Sequence, residues 1–357
     1  MPTIEDRFRG CLVGGAAGDA LGAPIEFFSE AEINKRYGDQ GIRELETSYG
    51  VVGAITDDTQ MTLFTAEGCI RYGKIPVDVD IIRLTQSIGL AYQKWFETQQ
   101  GVHHGSEYES AKDGYLVHLP VMRNRRGPGN TCLTALANGH PVISSKGCGG
   151  VMRVAPVGLF LAGQVDRKTI FDAGCRSAEI THGHPSGYLA TGVLAALIAG
   201  IVEGQTLPDS LEVALGILKD RANHQEVLSK INSAIRLSKS GVDRTEVFAT
   251  LGEGWVAEEA LAIGVYSSMA YHSLEEAVIY SVNHGGDSDS TGSITGQIMG
   301  AVMGFGSIPD RWIQRLEMIA TIEKIALDLN RARTGTYNKE LNRVYGSYLH
   351  DLDLWSM

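Results

Sequence analysis

The sequence predicts an all-α fold, read as one compact domain over residues 1–357, and three observations carry that expectation. Apolar residues recur at three- and four-residue spacing along most of the chain. Strand patterns are scarce, "GVVGAIT" (50–56) being the best of a weak set. No Pro/Ser-rich linker, charge block or repeat of solenoid length divides the chain.

The elements follow in order. The opening "MPTIEDRFRGCLVGGAAGDA" has charges on both sides of zero and only a short run of small apolar residues, so no signal peptide is expected. Gly10, Gly14, Gly18 and Gly22 fall four apart, as do Gly292, Gly296, Gly300 and Gly304. Each glycine costs a helix roughly 1 kcal/mol against alanine, so such a stripe implies that a second helix or a ligand comes close to the backbone. "TDDTQMTLFTAEGCIRYG", "DVDIIRLTQSIGLAYQKWFETQ", "DSLEVALGILKDRANHQEVLSKINSAIRLS" and "DRWIQRLEMIATIEKIALDLNRAR" are helical by period. "YLATGVLAALIAGIVEG" is the longest apolar run, interrupted by Gly192 and Gly200, and is expected to end too soon to cross a membrane.

Composition excludes some function classes. The chain has 31 basic and 42 acidic residues and a net charge of −11, a poor surface for nucleic-acid backbones or anionic membranes. Five cysteines (Cys11, Cys69, Cys132, Cys148, Cys175) are odd in number and scattered without a CxxC pair. Neither a zinc site nor a disulfide framework is expected, and a reducing cytoplasmic location fits.

Two oxygen-rich clusters stand out. "TDDT" (56–59) precedes a helical pattern, so Thr56 or Asp57 can be an ordinary N-cap with Asp58 matching the helix dipole. "GGDSDSTG" (285–292) can be a glycine-rich turn. Adjacent carboxylates repel, however, and a cation holds them together cheaply. Ligand sets of carboxylate and hydroxyl oxygen suit Mg²⁺, Ca²⁺ or Mn²⁺. Four aspartates (Asp57, Asp58, Asp287, Asp289) can accommodate two such ions. An EF-hand loop would need Glu at its twelfth position, where Ile298 stands. A phosphatase-type DxDx[TV] motif matches Asp287–Thr291, but should follow a buried strand, and "SLEEAVIYSVNHGG" is helical by pattern.

Other segments allow two readings each. "GCGGVMRVAP" (147–156) is a structural turn or a set of backbone N–H groups facing a diphosphate. "RRGPGN" (125–130) is a turn whose arginines can be solvated. In "THGHPSG", His182 and His184 lie two apart in a helix connection, where capping is the ordinary role for either. Trp255 begins a helix, as core or as a ring for stacking on a base.

Taken in this order, "GCLVGGAAGDALGAPIEF", "TDDTQM", "RGPGN", "GGVMRVAP", "THGHPSG", "GWVAEEAL" and "GGDSDSTGSITGQIMGA" resemble the ADP-ribosylglycohydrolase family over nearly the whole chain. The resemblance implies an all-α fold with a cleft holding two divalent cations, Mg²⁺ or Mn²⁺. It places Thr56, Asp57, Asp58 and Asp289 on one metal and Asp287, Asp289 and Ser290 on the other, with Asp289 bridging. Glu26 matches the family's mobile acidic residue, and Asp57, Asp58 and Glu26 are the candidate catalytic acid or base. Gly127, Gly129, Asn130, Gly147, Gly149, Met152 and His182 fall on segments that line an ADP-ribose cleft, and Trp255 on an adenine-stacking position. The glycine loop carries Cys148 where the family has Asn. Ser290, where some members have Thr, brings the last motif nearer the ADP-ribosylarginine hydrolases, including the dinitrogenase reductase-activating type, than the ADP-ribosylserine type. The implied activity is hydrolysis of ADP-ribose from a protein side chain, foremost arginine. Serine linkage, O-acetyl-ADP-ribose and an immunity-type role that blocks a cognate ADP-ribosyltransferase are the alternatives. The polar segment 97–115 is a candidate for partner recognition.

Overall fold

The structure, a computed structural model, describes residues 1–73, 79–102, 113–335 and 339–346. Most of the 97–115 segment therefore lies outside the described residues. Seventeen α-helices are present among them, and the β-structure consists of one two-stranded ribbon, Thr47–Ser48 with Val51–Val52. The strand expected from "GVVGAIT" is thus only two residues long.

Two helices organise the middle of the molecule. Ile4–Gly22 is started by a capping box on Thr3, and Ser288–Met303 by Asp287 at its N-cap. They lie antiparallel, and their glycine stripes face each other. A Cβ built on Gly10, Gly14, Gly18 or Gly22 would meet the backbone of Gly300, Gly296, Gly292 or Ser288, and the reverse holds for Gly292, Gly296 and Gly300. Each run is therefore the other's partner. Backbone-to-backbone approach of this kind is open only to residues without a side chain. Both helices are buried along nearly their whole length.

The other expected helices form around this pair, with breaks that periodicity does not show. Asp57–Tyr72 and Ile81–Gln99 are single helices capped by Thr56 and Asp80. "DSLEV…IRLS" is two helices, Leu207–Lys219 and Gln225–Leu237, separated by a turn in which Asn223 has φ 61°. "DRWIQ…NRAR" also breaks, into Asp310–Ile313 and Ile319–Arg333, at Met318 with φ 61°. A left-handed residue cannot continue a helix, and a residue's φ is not written in a hydrophobic period. Leu274–Val282 is helical, so the strand that a phosphatase-type aspartate motif requires is absent there.

Pro185–Val202 carries the longest apolar run. At 18 residues and a mean hydropathy of 1.7 it is long and apolar enough to cross a membrane, contrary to the expectation from its sequence, but 89% of it is buried inside the protein. It is a core helix, apolar all round because neighbours cover every face.

Candidate active site

The antiparallel pairing brings the C-terminal end of the first helix beside the N-terminal end of Ser288–Met303. The start of Asp57–Tyr72 completes the junction. Asp19 ties it together: its carboxylate accepts from the Thr56 N–H at 3.0 Å, from Thr56 Oγ1 at 2.8 Å, from the Thr59 N–H at 3.1 Å, and from Thr59 Oγ1. Thr56 in turn accepts from the Asp58 N–H at 3.2 Å. Thr56 is thus the helix cap, and Asp57 and Asp58 are left to face the cavity. Asp19 was not among the expected site residues, because its role is to hold a segment 37 positions away.

The "RRGPGN" loop is fastened over Asp57. The Asp57 N–H donates to the Arg126 carbonyl at 3.1 Å, and the Gly129 N–H donates to Asp57 Oδ2 at 3.3 Å. Arg125 is exposed, as a solvated reading requires, but Arg126 is buried and ion-paired with Glu317, with a further bond from its Nη1 to the Ile55 carbonyl at 3.0 Å. Its guanidinium is a structural bolt, and a partner 191 residues away is invisible to a local motif.

One cavity is lined by Glu26, Asp57, Asp58, Asp287, Asp289 and Ser290 on its acidic side. Gly127, Gly129, Asn130, Gly147, Gly149, Met152, His182 and Trp255 line the rest, joined by Thr131, Cys132 and Cys148. Of the expected site residues, Thr56 alone stays behind the wall, fully buried against Asp19. His182 and His184 divide the two histidine readings. His184 caps Pro185–Val202, its Nδ1 accepting from the Ser186 N–H at 3.1 Å. His182 is buried on the cavity, bonded through Nδ1 to Thr181 Oγ1 at 2.8 Å. Burial, with the Arg153 charge adding to it, pushes the His182 pKa down to about 3, so its ring is neutral at any ordinary pH.

The glycine loop is partly committed. The Cys148 N–H donates to the Trp255 carbonyl at 3.2 Å, so it is not free for a diphosphate. Ser290 Oγ sits 3.5 Å from Cys148 Sγ and 3.8 Å from Met152 Sδ, which gives the acidic wall a sulfur flank. Trp255 is 40% exposed and stacks at 6.0 Å on Phe27, itself 74% exposed, so it is rim and not core.

The electrostatics of the acidic wall are severe. Burial, followed by repulsion from Asp289, raises the pKa of Asp19 to about 7 and that of Glu26 to about 10. Asp57, Asp58 and Asp287 are pushed well up by the same two causes, and burial raises Asp289 too. No lysine or arginine is among the lining residues. Glu26 Oε2, Asp58 Oδ1 and Asp287 Oδ2 are buried without a hydrogen-bond partner. An unpaired buried carboxylate oxygen costs several kcal/mol or so in general, and a cation removes that cost. Carboxylate oxygens of Glu26, Asp287 and Asp289 lie within 4.8 Å of one another. The donor set is oxygen, and it fits a hard divalent cation.

A stability signature follows from these shifts. Between pH of about 4 and the raised values of about 7 for Asp19 and about 10 for Glu26, the folded protein holds protons that the unfolded chain has released. The contribution of these carboxyls to the stability of the metal-free protein is thus greatest below the unfolded carboxyl range and falls as pH rises through the folded values. Thermal denaturation after chelation should show a lower Tm at pH 8 than at pH 5, and added Mg²⁺ or Mn²⁺ should raise Tm more at pH 8. A metal-free Tm that rises over this interval would contradict the assigned burial.

The ADP-ribosylglycohydrolase family model matches residues 1–339. The chain is 26% identical to the ADP-ribosylhydrolase ARH3 of Homo sapiens, over 91% of this chain and 93% of that protein. It is 25% identical to the ADP-ribosylarginine hydrolase Tri1 of Serratia proteamaculans, over 91% of this chain and 79% of that one. Among solved structures, an ADP-ribosylglycohydrolase-related protein complex superposes with a TM-score of 0.64 at 23% identity, covering 93% of this chain and all of the other, a likeness of fold. With its acidic cleft at the crossing of two glycine-striped helices, this chain belongs to the ADP-ribosylglycohydrolase family, whose members are metal-dependent hydrolases of ADP-ribosyl groups.

Proposed function

We propose that the protein removes ADP-ribose from modified arginine side chains, with two divalent cations, Mg²⁺ or Mn²⁺, in the acidic cavity. The observation that carries this reading is the charge of the cavity: a lining rich in carboxylates and free of lysine and arginine suits a departing group that is itself cationic. The Serratia relative whose name specifies arginine is in line with it.

Asp57, Asp58 and Asp289 would hold one cation, with Thr56 bonded behind them, and Asp287, Asp289 and Ser290 the other. Bound there, the ions supply Lewis-acid polarisation and an activated water. The chain's own groups do the rest. Glu26, whose buried Oε2 has no partner, holds a proton for the departing nitrogen, and Asp57 or Asp58 accepts one from water. Trp255, with Phe27 behind it, offers a ring face to the adenine at the rim. Gly127, Gly129, Asn130, the Gly147–Met152 loop and neutral His182 line the space left for the ribose and diphosphate.

Incubation with ADP-ribosylarginine and ADP-ribosylserine peptides should release ADP-ribose from the first at least tenfold faster. EDTA should abolish release, and Mg²⁺ or Mn²⁺ restore it. Faster release from the serine-linked peptide would replace the arginine reading with the O-linked one.

A further inference from the structure

The ribbon beside the site contains an anomaly. Ser48 pairs with Val51, so Tyr49 and Gly50 form a two-residue hairpin turn, with φ of 52° and 79°. A turn with both central residues at positive φ strongly favours Asn, Asp or Gly at its first position. A bulky aromatic there is a backbone outlier, and such outliers cluster where function holds them in place. Nothing in the ribbon itself requires the ring.

The ring leads toward the acidic wall. An ideal Cβ placed on Gly127 would lie 3.4 Å from Tyr49 Oη, 3.5 Å from Asp57 Oδ1 and 3.7 Å from Glu26 Oε2. Three oxygens from three separate segments thus face the same side of Gly127. Gly127, at φ 66°, keeps the space there open. Glu26 Oε2 is buried and has no partner, so the space holds a polar atom that is still unsatisfied. Tyr49 is fixed from behind by Arg126, whose guanidinium lies 5.9 Å from the ring centre and is itself bolted to Glu317.

We propose that Tyr49 is the acceptor-selecting residue of the site, and that the niche it forms with Asp57 and Glu26 above Gly127 receives the planar, cationic, N–H-rich group to which ADP-ribose is attached. Asp57 Oδ1 accepts from a guanidinium N–H group, the protonated Glu26 carboxyl faces the nitrogen that departs, and the Tyr49 hydroxyl closes the third side of the niche. A serine hydroxyl brings one donor and no charge, and leaves the niche underfilled. A site with buried hydrogen-bonding groups discriminates strongly against a ligand that cannot satisfy them. This inference rests on the arginine reading and adds to it the residue that makes the choice.

The test compares wild type, Tyr49→Phe and Tyr49→Asn on arginine-linked and serine-linked peptides, together with Kd for free ADP-ribose and Tm. Tyr49→Asn suits the turn, so its Tm should equal or exceed that of wild type, which separates the proposal from simple unfolding. Both variants should lose about tenfold or more of the arginine-over-serine preference in kcat/KM, while Kd for ADP-ribose stays within about twofold. If wild type prefers arginine and the variants keep that preference, Tyr49 is only a turn residue and the inference fails while the arginine reading stands. If wild type prefers serine or cleaves neither peptide, the cationic niche and the arginine reading fail together.

Discussion

Replacing Asp289 with Asn should abolish turnover and at the same time raise the stability of the metal-free protein. Asp289 is the largest electrostatic cause, after burial, of the raised pKa values of Asp19, Glu26, Asp57, Asp58 and Asp287. All of these groups are buried, so their repulsion is poorly screened by water. Removing that one charge relieves the rest. As the proposed ligand to both cations, however, Asp289 would be the group whose loss costs the most activity. The expected loss in kcat/KM is about a thousandfold, equivalent to about 4 kcal/mol of transition-state stabilisation. The readouts are ADP-ribose release at saturating Mg²⁺ or Mn²⁺, and Tm after chelation. Turnover near that of wild type would remove Asp289 from the bridging position. A metal-free Tm below that of wild type would mean that the acidic wall is not under repulsive strain. This pairing of gain and loss is the ordinary trade between stability and a charged active site.

The second large effect lies in the helix pair. Gly18→Leu should destabilise the protein by about 3 kcal/mol or more, because an added side chain meets the backbone at Gly292 and Ser293, which cannot rotate away. Gly18→Ala should cost less but keep the same sign, since even its single Cβ lies inside contact distance of that backbone. The control is Gly216, an exposed glycine in Leu207–Lys219 with nothing within 4 Å of a built Cβ. There the alanine change should stabilise by about 1 kcal/mol, the intrinsic helix preference. Chemical denaturation of the three variants measures all of this. Equal effects at Gly18 and Gly216 would show that the stripe is not a packing surface. Gly18 adjoins Asp19, which holds Thr56 and Thr59, so loss of packing there should also lower metal affinity.

Much of this architecture is legible in the residues themselves. The helices follow from apolar spacing, and the glycine stripes state plainly that something approaches a backbone closely. The acidic pairs in "TDDT" and "DSDS" carry their chemistry in their composition, and the order of motifs along the chain points to the family. Local chemistry of this kind depends on neighbours within a turn or two, so a linear string preserves it.

Long-range partnership is different. The two stripes being each other's partner, Arg126 being bolted to Glu317, Asp19 serving as the bracket for Thr56 and Thr59, and Tyr49 Oη, Asp57 and Glu26 facing one side of Gly127 all join segments distant in the chain. The helix breaks at Asn223 and Met318, and the left-handed turn at Tyr49, are backbone choices that hydrophobic periodicity does not encode. Tertiary structure decides these features because close packing fixes which distant surfaces meet, and because buried polar groups must find partners wherever the folded chain supplies them.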